Sequence, residues 1–141
     1  MKSKIILAVI FVSLVLISLG FFEYKGKVVY DRDKIVIPVI LHLVDDGNVQ
    51  YTTSRDIVDL ERIFKEVNRI WEQAQIIFII EDVDRIKISN KEFNPLFFGE
   101  ISVLTNRDDF DEGMINGYFA RYINANGISF PAQGFFVIGD I

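Results

Sequence analysis

The sequence predicts an α/β domain, in the α+β sense of a mixed, mostly parallel twisted sheet backed by one long helix. Three observations carry this. Apolar residues recur at helical spacing through Ile57, Leu60, Phe64, Val67, Trp71 and Ala74. β-Branched runs flank that stretch at residues 35–44 and 76–83. The order strand, helix, strand implies a parallel crossover of right-handed sense.

A chain of 141 residues accommodates one domain once a targeting segment is set aside, and 50% hydrophobic residues exclude a polar disordered chain. Lys2 and Lys4 precede residues 5–22, which carry no charge. As a helix that run is about 27 Å long, close to the ~30 Å of a bilayer's hydrocarbon, so a single-pass anchor binding membrane lipid is expected. The alternative is a signal segment cleaved near Gly20, where Ser18 and Gly20 supply small residues, giving a secreted product. Phe21 and Phe22 extend the apolar run past that point and favour the anchor. Lys2 and Lys4 place the domain outside the cytoplasm, and Lys25 and Lys27 pull the other way. Residues 23–34 are polar and mixed in charge, a tether; residues 35–141 form the domain.

The first strand, 35–44, carries Pro38, which lacks a donor and belongs near an edge or at a local break. "DDGN" turns the chain and "VQYTT" offers a short ribbon. The helix is expected over 55–74, capped by Thr53 with Asp56 or by Ser54, with Glu61 and Lys65 paired across a turn. Asn68 beside the apolar stripe reads as a surface amide; the alternative is a hydrogen bond that fixes a loop over the helix. After the second strand, "EISVLT" is strand or buried loop, and Asn94-Pro95 favours a turn. Residues 114–123, with Tyr118, Phe119 and Tyr122, read as a strand that Gly117 weakens. "GISF" and "GFFVIGD" are two short strands separated by residues 131–133.

The chemistry is sparse. There is no cysteine, and His42 is the single histidine, set in an apolar strand as a structural residue, so no zinc cluster of ordinary ligands can form. No phosphate loop, HExxH or GxSxG occurs, and no catalytic residue is assigned. Omitting Lys2 and Lys4 leaves thirteen basic against twenty acidic residues, net −7, which argues against nucleic acid as a partner. Asp108, Asp109, Asp111 and Glu112 form an acidic loop, read as solvated, with a calcium site as the alternative; EF-hand spacing is absent. Phe97, Phe98 and Phe130 are core residues or, alternatively, contacts for a peptide or protein partner.

Taken in order, "IVIPVILHLVDD", "SRDIVDLERIFKEVNRIWEQAQIIFIIEDV", "INGYFARYINANGISFP" and "GFFVIGD" resemble the amino-terminal half of a metzincin-like zinc metallopeptidase domain. The resemblance covers about residues 35–141 and rests on apolar pattern and on His42, Asn68, Trp71 and Phe78. It implies a first strand, a long backing helix, a second strand, and later strands leading to an HExxH helix that this sequence lacks. The expectation is therefore a truncated domain, inactive alone, whose complete form would bind zinc and hydrolyse peptide bonds. The resemblance also implies that Gly127, Ile128, Ser129 and Phe130 are the edge strand bordering a peptide substrate. Two further expectations accompany it: self-association through an uncovered sheet, and, as the alternative function, a membrane-attached extracytoplasmic module that binds a protein or peptide without catalysis.

Overall fold

The computed structural model describes residues 29–31, 33–47, 52–89, 92, 95–96, 100–121, 123 and 126–140. The apolar run 5–22 lies outside them, as does most of the tether; among the described residues no helix is long and apolar enough to cross a membrane. Three residues of the stretch read as tether form β1 (Val29–Asp31), which joins the sheet.

β2 (Lys34–Asp45) is the long central strand, and α1 (Ile57–Trp71) follows it, extended by a 3-10 turn at Glu72–Ala74. β3 (Ile76–Lys87), α2 (Ser102–Thr105), β4 (Ile115–Ala120), β5 (Gly127–Phe130) and β6 (Phe135–Gly139) complete the chain. Among the described residues the sheet has six strands. β3, β2, β4 and β6 run parallel side by side, β5 closes one end antiparallel to β6, and β1 pairs antiparallel with the start of β2.

Each face of the sheet has its own cover. Ile37, Val39, Leu41 and Leu43 of β2 join Phe78, Ile115, Phe119 and Phe136 under Leu60, Phe64 and Val67 of α1, the three positions at which the helical stripe is fully buried. On the other face Val44, Ile86, Tyr118, Phe135 and Val137 meet Ile88, Leu96, Leu104 and Ile123, with Phe110 and Phe130 packed alongside. "EISVLT" is neither strand nor loop at its centre: Ser102–Thr105 is one short helical turn that lowers Leu104 into this second core. A single turn has no periodicity to announce it in the sequence; its own backbone bonds to Ile101 O and Ser102 O and the burial of Leu104 hold it.

Pro38 is accommodated by direction. Ile35 N–H donates to Gln75 O at 2.8 Å and Ile88 N–H to Asp45 O at 3.2 Å, so odd-numbered main-chain groups of β2 point to β3 and even-numbered ones point away. Pro38 is even, and it falls between Val36, aligned with Val29 of β1, and Val39, aligned with Ile115 of β4. No described strand requires its missing N–H. Gly117, read as a weakness, is a packing requirement: a Cβ there would run into Phe136 Cζ and lie 2.9 Å from Leu41 Cδ2.

The helix N-cap is Asp56, whose carboxylate accepts from Asp59 N–H at 2.9 Å while Asp59 reaches back to Asp56 N–H. Thr53 and Ser54 do not cap: the helix starts later, at Ile57, and their hydroxyls donate to Asp140. Asn68 is not a surface amide. Its Nδ2 donates to Phe78 O at 2.9 Å and its Oδ1 accepts from Phe78 N–H at 2.8 Å, so it fixes a strand rather than a loop.

Candidate functional site

Three arrangements of polar groups stand out, and two of them are structural ties. The first surrounds His42, which is fully buried. Its neighbours across the sheet are Asp84 on β3 and Tyr118 on β4. Nδ1 lies 2.7 Å from Asp84 Oδ1, and Nε2 lies 3.2 Å from Asn116 Oδ1. The Asn116 amide is oriented by its other bonds, since Nδ2 donates to Asp111 O and Met114 O and Oδ1 accepts from Asp111 N–H. Tyr118 stacks on the imidazole with centroids 4.5 Å apart. Burial pushes the Tyr118 phenol above its usual range, with Asp109 adding to the shift, and its hydroxyl meets no hydrogen-bond partner among the described residues.

A one-residue irregularity in β3 makes this tie. Ile80 aligns with Val39 and Asp82 with Ile40, leaving Glu81 without a counterpart on β2. Before Glu81 the even-numbered positions, such as Phe78, face α1; after it Val83 does, and Asp84 and Ile86 turn to the opposite face. Without that shift Asp84 would project from the opposite face of the sheet to His42.

The second arrangement gathers on Asp140. Its carboxylate accepts from Thr53 Oγ1 at 2.8 Å, Ser54 N–H at 2.6 Å, Ser54 Oγ at 3.1 Å and Arg55 Nε at 3.0 Å. Thr53 N–H also donates to Val44 O, and the Arg55 guanidinium lies 5.6 Å from the Phe119 ring centroid. Residues 53–55 therefore cross the carboxyl ends of β2, β4 and β6. This is the switch point at which an open parallel sheet ordinarily receives a ligand, and here the chain itself covers it.

The third is the edge strand β5. Gly139 N–H donates to Asn126 O, which sets the alternation along this antiparallel pair. Ile128 and Phe130, aligned with Val137 and Phe135, direct their main-chain groups to β6. Gly127 and Ser129 direct theirs away from the sheet, where no described strand pairs with them. Phe130 is anchored from below by stacking on Phe135 at 4.5 Å. The four residues named from sequence as a peptide-bordering edge thus occupy a sheet edge.

The acidic loop divides its charges. Asp109 is gripped by Arg107 through contacts of 2.7 to 3.1 Å, and this pairing raises the already high guanidinium pKa. Asp111 accepts from Gly113 N–H, while Asp108 and Glu112 are exposed. An open hollow of about 530 Å³ is lined by Asn106, Arg107, Asp108 and Asp109. Among the described residues no group of three or more His, Cys, Asp or Glu converges as a metal site. His42 does not fit zinc either, because the ring is buried and both nitrogens already face oxygen atoms. Of the aromatic residues named as partner contacts, Phe130 is partly buried against the second core, and Phe97 and Phe98 lie outside the described residues.

Comparison with protein-family models, with curated proteins and with solved structures finds no match for this chain.

Proposed function

We propose that this chain holds an extended peptide by strand addition at β5, on a sheet of metzincin-like metallopeptidase type, and that it hydrolyses nothing by itself. The carrying observation is that Gly127 and Ser129 present their N–H and C=O groups at an edge without charge. The order of elements supports the family part of the reading: β2, α1 and β3 in succession, then later strands with Gly127–Phe130 at an edge. Inactivity follows from composition, since one histidine and no cysteine supply too few ordinary zinc ligands and HExxH is absent from the sequence. Residues 5–22 would hold the domain at a membrane, outside the cytoplasm. Peptide holding without any peptidase relationship makes the same use of β5.

Fluorescence anisotropy of a short labelled peptide of alternating Thr and Val, titrated with the full chain in detergent micelles, tests the binding claim. Ser129→Pro removes one outward N–H and none that β6 uses, so affinity is expected to fall about tenfold with the fold intact by circular dichroism. Absence of binding, or binding indifferent to this substitution, overturns the reading. Peptide cleavage by the purified chain overturns the inactive part.

A further inference from the structure

We infer that β5 is also a self-pairing edge, at which two copies of this chain join antiparallel across a twofold axis centred on Ile128. The inference uses the edge described above and does not depend on peptide binding. Outward main-chain groups belong to Gly127 and Ser129, one residue to either side of Ile128. Rotation about an axis through Ile128 sets Gly127 of one copy against Ser129 of the other, and Ser129 against Gly127. Each such pair exchanges two N–H···O bonds, so all four outward donors and all four outward acceptors are satisfied at once.

No other register does as well with the described residues. Centring on Ser129 would set Gly127 opposite Pro131, which has no N–H to donate. The residues that meet are Gly127, Ile128 and Ser129, with Phe130 opposite Asn126 of the other copy, so no like charges are forced together, and the two Ile128 side chains sit side by side on the face carrying Phe130 and Phe135. β6 and β5 would continue into their symmetry copies as one sheet. Strands this short bury well below the ~1,200 Å² of a standard interface, so the pairing is weak and reversible. A covalent trap is therefore the suitable readout.

The chain contains no cysteine, so a single introduced one reports its own contact. At Ile128 the paired Cα atoms would be about 4.5 Å apart, the spacing of a non-hydrogen-bonded pair and within the range a disulfide spans. Ser129 would be about 9 Å from its own copy, too far to bridge. Ile128→Cys, in the full chain in detergent micelles under mild oxidant, is expected to form covalent dimer about ten times faster than either Ser129→Cys or Ile79→Cys, which marks the β3 edge. Ser129→Pro in the Ile128→Cys background should abolish that excess, and circular dichroism of each variant checks that it folds. Equal rates at all three positions, or an excess that survives Ser129→Pro, overturn the self-pairing. A strong Ile128→Cys signal that the labelled peptide fails to compete away, with no anisotropy change, leaves self-pairing standing and removes the peptide reading. Peptide binding without cross-linking does the reverse.

Discussion

The two ends of the sheet are built differently. β3 is long and carries Glu81, Asp82, Asp84, Arg85 and Lys87, together with the one-residue irregularity at Glu81. Charge and a bulge are the devices by which an edge resists unwanted pairing. Side chains also bind β3 to the rest of the molecule: Asp84 to His42, Phe78 to Asn68, and Arg85 to Arg55 O. β5 has four uncharged residues and no interior proline, and among the described residues it is held by β6 and by Phe130, which stacks on Phe135 and packs against the second core. Two edges of one sheet therefore differ in construction. The guarded one is tied to neighbouring elements by side chains, whereas the main-chain groups of Gly127 and Ser129 on the other are paired by no described strand.

Breaking the strongest tie of the guarded edge should have the largest effect on stability. His42→Leu removes two bonds at a fully buried position, leaving Asn116 Oδ1 with Asp111 N–H and Asp84 without its closest partner, at an expected cost of about 2–4 kcal/mol. Urea unfolding of wild type and variant in the same micelles measures it, and a cost below about 1 kcal/mol would mean that β3 is held chiefly by its backbone.

Asn68→Ala removes both bonds between α1 and Phe78 and should cost about 1–3 kcal/mol. The same measurement on Ser129→Ala, on the open edge, should show a change within about 0.5 kcal/mol, because no described partner uses that hydroxyl. Hydrogen exchange should place the added opening of Asn68→Ala in residues 76–80. Similar costs at the two sites would erase the contrast.

Tyr118 stands midway between the edges. Removing a buried hydroxyl that meets no partner among the described residues should leave Tyr118→Phe as stable as wild type or about 1 kcal/mol more so near neutral pH. The raised phenol pKa sets the sign at high pH. An unfolded tyrosine ionises near pH 10 while the folded one resists, so this group's contribution is whole below about pH 10 and is lost as pH rises beyond it. Alkaline unfolding midpoints should therefore lie higher for Tyr118→Phe, and unchanged midpoints would count against the burial of this ring.

Much of the fold is legible because local pattern and burial agree. Leu60, Phe64 and Val67 recur at helical spacing and are buried under that helix, and Ile57, counted in the same stripe, is 50% exposed at the helix's first turn. "GISF" and "GFFVIGD" read as two strands and occur as two, separated by Pro131–Gln133 as expected. The ends of elements were less legible. Thr53 and Ser54 have the chemistry of helix caps, and nothing near them in sequence shows that Asp140, 86 and 87 residues away, takes their hydroxyls.

By itself the sequence determined the long helix, the strands at 35–44, 76–83 and 127–130, the shortage of zinc ligands and the uncharged character of "GISF". Each of these depends on residues close together in the chain or on composition alone. Tertiary structure alone decided that Asp84 meets His42, because one unmatched residue in β3 reverses which face every later side chain takes. It also decided that Asn68 grips Phe78, that residues 53–55 close the switch point, and that Gly127 and Ser129 rather than Ile128 and Phe130 turn their main chains outward. These depend on register between strands distant in sequence, and register is set by how the whole sheet packs.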